Sequence, residues 1–371
     1  MTPSSEKNHA SILKLDMNAL LHNVSYFKNK LAPETKILAV VKAFAYGHDA
    51  IEISKFLEKS KIDYLAVAYA DEGIELRKQG IKTPILVLHP QTISFQSLID
   101  NNLEPNIYSE KTLTEFKNLA LKNNVNNYPI HLKFNTGLNR LGFGENQIDF
   151  ILNSVKNAPL KVQSVFSHLA ASEDLEEKEF TESQIQKFDF IAHKITNGLD
   201  YQPILHLANT SGIINYPKAH NHMVRLGIGM YGFGNDKNET SNLKNVGSLF
   251  SVISQIHTIE KGESLGYNRA FFAEQETKTA TIPIGHADGI NRRLGNGVGY
   301  VTINNTKCPI IGNVCMDMIM VDITKATCSE GDEVVIFDNQ ETVNDLAKKS
   351  DTISYEIITG ISQRIPRVII T

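Results

Sequence analysis

The chain has 371 residues, 42% hydrophobic and 21% charged, an ordinary globular composition long enough to bury a large core without cross-links. Its 37 basic and 41 acidic residues sum to −4, which excludes a general basic surface for nucleic acid or anionic lipid and leaves any anion to a local site. No run reaches the ~18 apolar residues of a membrane helix, Met1–Ala10 lacks the apolar stretch of a leader peptide, and Cys308, Cys315 and Cys328 fit neither a disulfide framework nor a zinc spacing, so a cytoplasmic protein with reduced thiols and no metal is expected.

Ser11–Leu15 reads as an isolated strand, and Asp16 as the cap of a helix over Met17–Leu31. Short apolar runs rich in Val, Ile and Leu follow at Lys36–Lys42, Tyr64–Ala68, Pro84–Leu88 and Glu104–Tyr108. Others lie at Pro129–Asn135, Val162–His168, Pro203–Asn209 and Met223–Tyr231. Continuous rather than alternating runs predict strands buried on both faces, hence parallel. Between them, Ile51–Leu57, Glu72–Lys78, Lys111–Leu121 and Phe180–Ile195 place apolar residues at steps of three and four, the pattern of one-sided helices. Eight such strands separated by helices predict an α/β protein with an N-terminal (β/α)8 barrel. An open doubly wound sheet is the competing arrangement, weakened by the lack of a Gly-rich fingerprint after the first strand.

The texture changes after Gly234. Asn235–Asn245 is polar and reads as a linker. Beyond it come Leu249–His257, Lys278–Ile284, Gly299–Ile303, Cys308–Val314, Ile319–Ile323 and Glu333–Phe337, β-branched runs divided by turn pairs such as Asn304-Asn305 and Gly331-Asp332. Only Thr342–Lys348 reads as helix there. The expected organisation is a barrel over residues 11–234 and a mostly β domain over 235–371, with residues 1–15 a candidate to pack on the latter.

In a parallel barrel the site forms where strands end in loops on the carboxyl face. The polar residues closing the strands are Lys42, the Lys133–Arg140 stretch, Ser167-His168, Asn209-Thr210-Ser211 and Arg225. Each alone reads equally as a solvated strand end or a structural histidine; convergence on one mouth is what points to a site. Thr210-Ser211-Gly212 offers hydroxyls and Gly227-Ile228-Gly229 offers open backbone N–H groups, though either is also an ordinary turn. If they hold a phosphate, a lysine with lowered pKa at position 42 suits pyridoxal phosphate, which joins an aldehyde to a phosphate.

Val40-Val41-Lys42-Ala43-Phe44-Ala45-Tyr46-Gly47-His48 resembles the cofactor-lysine signature of alanine racemases. Further matches follow in family order: HLKFNTGLNRLGF (His131–Phe143), FSHLA (Phe166–Ala170), HLANTSG (His206–Gly212), VRLGIGMYG (Val224–Gly232), GYN (Gly266–Asn268), IPIGHADGINRR (Ile282–Arg293), GNVCMDM (Gly312–Met318) and ISQRIPR (Ile361–Arg367). The resemblance covers nearly the whole chain. It implies a barrel followed by a β domain, a pyridoxal 5'-phosphate cofactor, a homodimer, and interconversion of L- and D-alanine to supply D-alanine for peptidoglycan. A broader amino-acid racemase, a related decarboxylase and a non-catalytic coenzyme carrier are the alternatives; the second domain with Tyr267 argues against the carrier.

Racemisation needs an acid/base group on each face of the α-carbon. By resemblance, Lys42 holds the cofactor and serves the D face, while Tyr267 serves the L face from the partner subunit, near His168 and Arg225. From the residues alone, Tyr267 reads as a half-buried sheet tyrosine. The resemblance also assigns Arg225 to the pyridine nitrogen and Tyr46, Thr210, Gly227 and Ile228 to the phosphate, with Asn209 in the same cofactor set. It assigns Arg140 to the phenolic oxygen and the substrate carboxylate, and Met316 with Asp317 to that carboxylate. Lys133 matches a lysine often carbamylated in the family. Departures are Phe44, Asn135, His286 and Gln363, the last standing where a phosphate-holding tyrosine is expected and counted with the cofactor set.

Overall fold

The computed structural model describes residues 9–370; expectations for Met1–Asn8 lie outside the described residues. The chain enters through β1 (Ile12–Asp16) and the helix Met17–Lys28. Asp16 ends one and starts the other. Its Oδ1 accepts the Ala19 N–H at 2.8 Å, satisfying a donor that the first helical turn leaves free.

Eight strands then close a parallel barrel: β2 (Lys36–Val40), β3 (Tyr64–Val67), β4 (Ile85–Val87), β5 (Glu104–Ile107), β6 (Tyr128–Lys133), β7 (Leu160–Phe166), β8 (Ile204–His206) and β9 (Met223–Leu226). Ring closure is explicit in the register, with Lys36 opposite Met223 and Leu38 opposite Arg225. This removes the open-sheet alternative. The strands are unbroken apolar runs because barrel interior and helices cover both faces; Leu65, Ala66, Val67 and Ile85 are wholly buried. The coating helices bury one stripe each. In Glu110–Lys122 that stripe is Thr112, Leu113, Phe116 and Ala120, and Ser109 caps the helix through the Thr112 N–H. The short helices Phe95–Asp100 and Ile148–Val155 escaped the sequence reading because each spans too few turns to show a period.

The second unit carries β10 (Gly247–Val252), β11 (Gln255–Ile259), the two-residue strands β12 (Ser264–Leu265) and β13 (Phe271–Phe272), β14 (Thr277–Ile282), β15 (Tyr300–Ile303), β16 (Thr306–Ile311), β17 (Ile319–Asp322), β18 (Glu333–Phe337) and β19 (Arg367–Ile370). Nine strands form one sheet in the order β11-β14-β17-β16-β15-β18-β10-β1-β19, and β12 with β13 makes a separate ribbon. By pairing, β1 belongs to this sheet: it runs antiparallel to β10 and parallel to β19. The stretch from Ile12 to Asp16, counted with the barrel in the expected bounds and also named as a candidate to pack on the second domain, is hydrogen-bonded in the second unit's sheet.

Other boundaries shift for local reasons. The run Leu249–His257 divides at Ile253-Ser254, because β10 and β11 pair with different strands, β18 and β14. Met223–Tyr231 stops as a strand at Leu226, and Ile228–Tyr231 turns into a 3-10 helix. The polar linker holds a short helix, Lys237–Ser241, capped by Asp236. Ser354–Thr359 is a second helix of the late segment, not anticipated from sequence. No helix among the described residues is long and apolar enough to cross a membrane.

Candidate active site

The site starts where β2 ends. Val41 still bonds into the barrel through its N–H to Ala66 O at 2.9 Å, and Lys42 follows directly. Then the backbone turns left-handed: Ala43, Phe44, Ala45 and Tyr46 all hold φ between +51° and +56°. Each such residue costs roughly 1–2 kcal/mol against its right-handed form, so the turn must be held from outside. Glu72 accepts the Ala43 N–H at 2.6 Å. Tyr46 stacks on Tyr231 at 4.8 Å between centroids, and His48 stacks on the same ring at 4.7 Å. Arg367 from β19 donates to Gly47 O at 2.7 Å and His48 O at 3.1 Å. Gly47, at φ +82°, lies so close to the helix Ser354–Thr359 that a Cβ there would meet Ile358 O at 2.1 Å.

Lys42 and Tyr46 line a cavity of about 530 Å³ at the barrel mouth. Lys133, Arg140, His168, Asn209, Thr210, Arg225, Gly227 and Ile228 share its wall, so ten of the residues singled out in the sequence meet in one place. A wider cleft of about 1040 Å³ adjoins it, sharing Arg140, His168, Asn209, Ile228 and Tyr355. Lys42, Lys133, Arg140 and Arg225 bring four cationic side chains, and no carboxylate lines the inner cavity.

That imbalance shapes the proton affinities. Burial lowers the Lys42 pKa, Arg140 lowers it further, and Glu72 partly opposes both. Burial and then Arg225, Arg140 and Lys42 bring Lys133 down to about 7. Burial, followed by Arg140, brings Arg225 down to about 9. His168 is held well below the ordinary histidine range by burial first and then by Arg225. These are costs that an anion entering the cavity would relieve.

Arg225 is anchored by its guanidinium ends. Nη2 donates to Ser167 O at 2.8 Å, Leu207 O at 2.9 Å and His168 Nδ1 at 3.0 Å, while Nη1 donates to His206 Nδ1 at 3.0 Å. Arginine has donors only, so both imidazoles accept at Nδ1 and carry their proton on Nε2. Arg225 Nε has no acceptor among the described residues and is the donor left for the cavity.

Opposite Lys42, Asn209 Oδ1 accepts the Gly212 N–H at 2.8 Å and starts the helix Thr210–Asn215. Asn209 thus shapes the wall through its cap. Thr210 Oγ1 accepts the N–H groups of Gly227 and Gly229 at 3.2 and 3.4 Å. A Cβ on Gly227 would lie 2.8 Å from Tyr46 Oη and 3.9 Å from Thr210 Oγ1, so the missing side chain keeps open a small recess rimmed by two hydroxyls.

Four sequence-derived candidates do not reach this cavity within the chain. Tyr267 lies in the turn between β12 and β13, 75% exposed, with its carbonyl accepting from Asn313 at 3.2 Å. Met316 is likewise exposed, and Asp317 is tied by Arg364 Nη2 at 2.7 Å. Gln363 lines a separate cleft with Phe44 and Thr359. The nearby phenol is Tyr355, whose ring lies 6.0 Å from that of Tyr46 and whose hydroxyl is pushed up to about 12, chiefly by burial. Tyr355 was missed because its short helix was not read. His89, which also lines the cavity, was missed although it closes β4 as other polar residues close their strands.

Comparison with known proteins matches this arrangement over its length. The family model for the alanine racemase N-terminal domain matches residues 15–234, and that for the alanine racemase C-terminal domain matches residues 246–369. An alanine racemase of Clostridium tetani is 35% identical, over 96% of this chain and 94% of its own. The solved alanine racemase of Clostridium difficile superposes with a TM-score of 0.92 at 33% identity, covering 98% of this chain and 96% of that one. That of Bartonella henselae, solved with covalently bound pyridoxal phosphate, superposes with a TM-score of 0.88 at 26% identity over 98% of this chain and all of its own. With family models matching both halves, the chain belongs to the alanine racemase family of isomerases.

Proposed function

We propose that this chain interconverts L- and D-alanine as a homodimer, with pyridoxal phosphate held at Lys42. The observation that carries the reading is a cavity at the barrel mouth lined by four cationic side chains and, among the described residues, no carboxylate, with a lysine whose ammonium form is penalised. The residues fit the coenzyme. The Tyr46 and Thr210 hydroxyls, which meet beside Gly227, suit a phosphate. Bound there, pyridoxal phosphate supplies an electrophilic carbon for the substrate amine and a conjugated ring that eases loss of the α-proton.

The chain's own residues do the rest. A lowered pKa leaves Lys42 a larger neutral fraction, so its amine can bond that carbon and, once released, move the α-proton on one face. Tyr267, exposed on its own chain, serves the opposite face of the partner's site. There it would face the cationic wall and the His168 Nε2–H. Arg225 would donate from Nε to the ring nitrogen and, charged at neutral pH, would keep that proton, which would limit electron withdrawal by the ring. Arg140 holds the substrate carboxylate, helped by the partner's backbone at the Met316-Asp317 turn. Lys133, with its pKa near 7, has a nucleophilic amine in reach of carbon dioxide. Its N–C bond forms as one proton leaves, and the carbamate anion offsets neighbouring Arg140 and Lys42. The three unpaired thiols support a reducing compartment such as the cytoplasm.

The test is a spectrum of the purified protein before and after borohydride, peptide mapping at Lys42, and chiral chromatography of L-alanine incubated with untreated enzyme. A visible band lost on reduction, coenzyme fixed to Lys42 and formation of D-alanine are expected. Bound coenzyme without D-alanine would overturn the substrate assignment, and L-serine and L-lysine would then be compared.

A further inference from the structure

Five side chains on five successive barrel strands form one unbroken line of hydrogen bonds. Glu104 begins β5, at the barrel end remote from the cavity; its Oε2 lies 2.7 Å from His131 Nε2 on β6. His131 Nδ1 lies 2.6 Å from Ser164 Oγ on β7. Ser164 Oγ lies 2.8 Å from His206 Nε2 on β8, and His206 Nδ1 meets Arg225 Nη1 of β9 at 3.0 Å. His131, Ser164 and His206 are wholly buried.

Donor inventory gives the line a single direction. Arg225 only donates, so His206 accepts at Nδ1 and keeps its proton on Nε2. That proton goes to Ser164 Oγ. The Ser164 hydroxyl proton then has His131 Nδ1 as acceptor, and the remaining His131 proton, on Nε2, goes to the Glu104 carboxylate. Every bond points from the cationic end to the anionic end, the polarity in which successive bonds strengthen one another. Arg225 has no carboxylate beside it, and burial brings its pKa down to about 9, so a distant counter-charge matters to it.

We propose that Glu104 is a positioning residue for the racemisation, acting through His131, Ser164 and His206 to fix the orientation and positive charge of Arg225. The proposal rests on the coenzyme reading only in placing Arg225 at the reacting group. Arg77, Tyr64 and Tyr128 also face Glu104. Arg77 donates to the carbonyls of Ile81, Thr83, Asn101 and Asn102 and has no hydrogen bond to Glu104, leaving the His131 bond intact. Tyr64 accepts from Gln163 at 2.9 Å and its hydroxyl also bears on the Glu104 carboxylate, which it shares with His131, while Tyr128 donates to Leu98 O and Leu103 O at 2.9 Å.

Nitrogen-15 NMR of histidine-labelled full-length protein, without added coenzyme, reads the line directly. His131 and His206 should each show a proton on Nε2 and none on Nδ1. A proton on Nδ1 of His206, or a doubly protonated His131, overturns the proposal. In the holoenzyme, Glu104→Gln keeps the acceptor and removes the charge, whereas Ser164→Ala cuts the line by removing one hydroxyl. Each should lower kcat by about tenfold with KM within about twofold. Glu104→Gln should also move the alkaline limb of the kcat profile down by about one pH unit. An unchanged kcat and an unchanged limb in folded variants, judged by circular dichroism, overturn it. Absence of racemisation by the unmodified enzyme would instead sink the functional reading and leave the imidazole result standing.

Discussion

Lys133 and Arg225, on barrel strands, are buried, and burial with nearby cations lowers their proton affinities, Arg225 acting on Lys133 and Arg140 on both; Tyr267 and Met316, in turns of the second unit, stand 75% and 60% exposed. The barrel side of the chemistry is complete within one chain, held by strand ends and a strained turn. The second unit presents its share to solvent, in a state that no single chain buries. A group whose ionisation must be tuned cannot work from an exposed position, where water screens every neighbour. That difference is what supports the proposed dimer, in which a partner chain would cover Tyr267 and Met316.

The sharpest break in that comparison is complementation. Lys42→Ala should lose activity by at least about a thousandfold, and Tyr267→Phe by about a hundredfold, in the direction that forms D-alanine. Mixed and refolded together, the two variants should regain roughly a quarter of wild-type activity, because hybrids carry one intact site of two. No recovery would assign Tyr267 to its own chain's site or to none.

The barrel side is probed next by Gly227→Ala. The added Cβ must displace the Tyr46 hydroxyl, so coenzyme affinity, read by titration of the apoprotein, should weaken by about ten- to a hundredfold while the fold is kept.

A smaller effect follows from Lys133. Its pKa is about 7 in the folded chain and ~10.4 unfolded, so between those values the unfolded chain holds the extra proton. Stability of carbon dioxide-depleted apoprotein should therefore rise with pH across this window, and Lys133→Met should flatten the rise in Tm. Smallest of all, Gln363→Ala should leave coenzyme affinity within about twofold, whereas Tyr355→Phe should weaken it by about two- to fivefold, one neutral hydrogen bond.

Much of the barrel was legible because buried parallel strands must be apolar throughout and each must end in something polar. Lys42, Lys133, His168, Asn209 and Arg225 all sit at or near such endings, and all line the cavity. The same rule extends to His89. What escaped was set by tertiary pairing rather than by local pattern. Nothing in Leu249–His257 says that its halves join different strands, since only β18 and β14 decide that. The left-handed path of Ala43–Tyr46 likewise leaves no mark in a sequence of alanine and aromatic residues; Gln363 lines a cleft with Phe44, whereas Tyr355 lines the cavity. The line from Glu104 to Arg225 was equally hidden, its members scattered over five strands and joined only by the shear of the barrel.

The grip of Arg367 on the turn after Lys42 has a consequence for biosynthesis. A ribosome that has extruded residues through Gly234 has made every barrel strand, but neither Ile358 nor Arg367 exists yet to clamp the carbonyls and glycine at position 47. β1 is also without both neighbours until β10 and β19 emerge. The nascent barrel therefore carries Lys42 on a loop without these two restraints until residues 358 and 367 have been made.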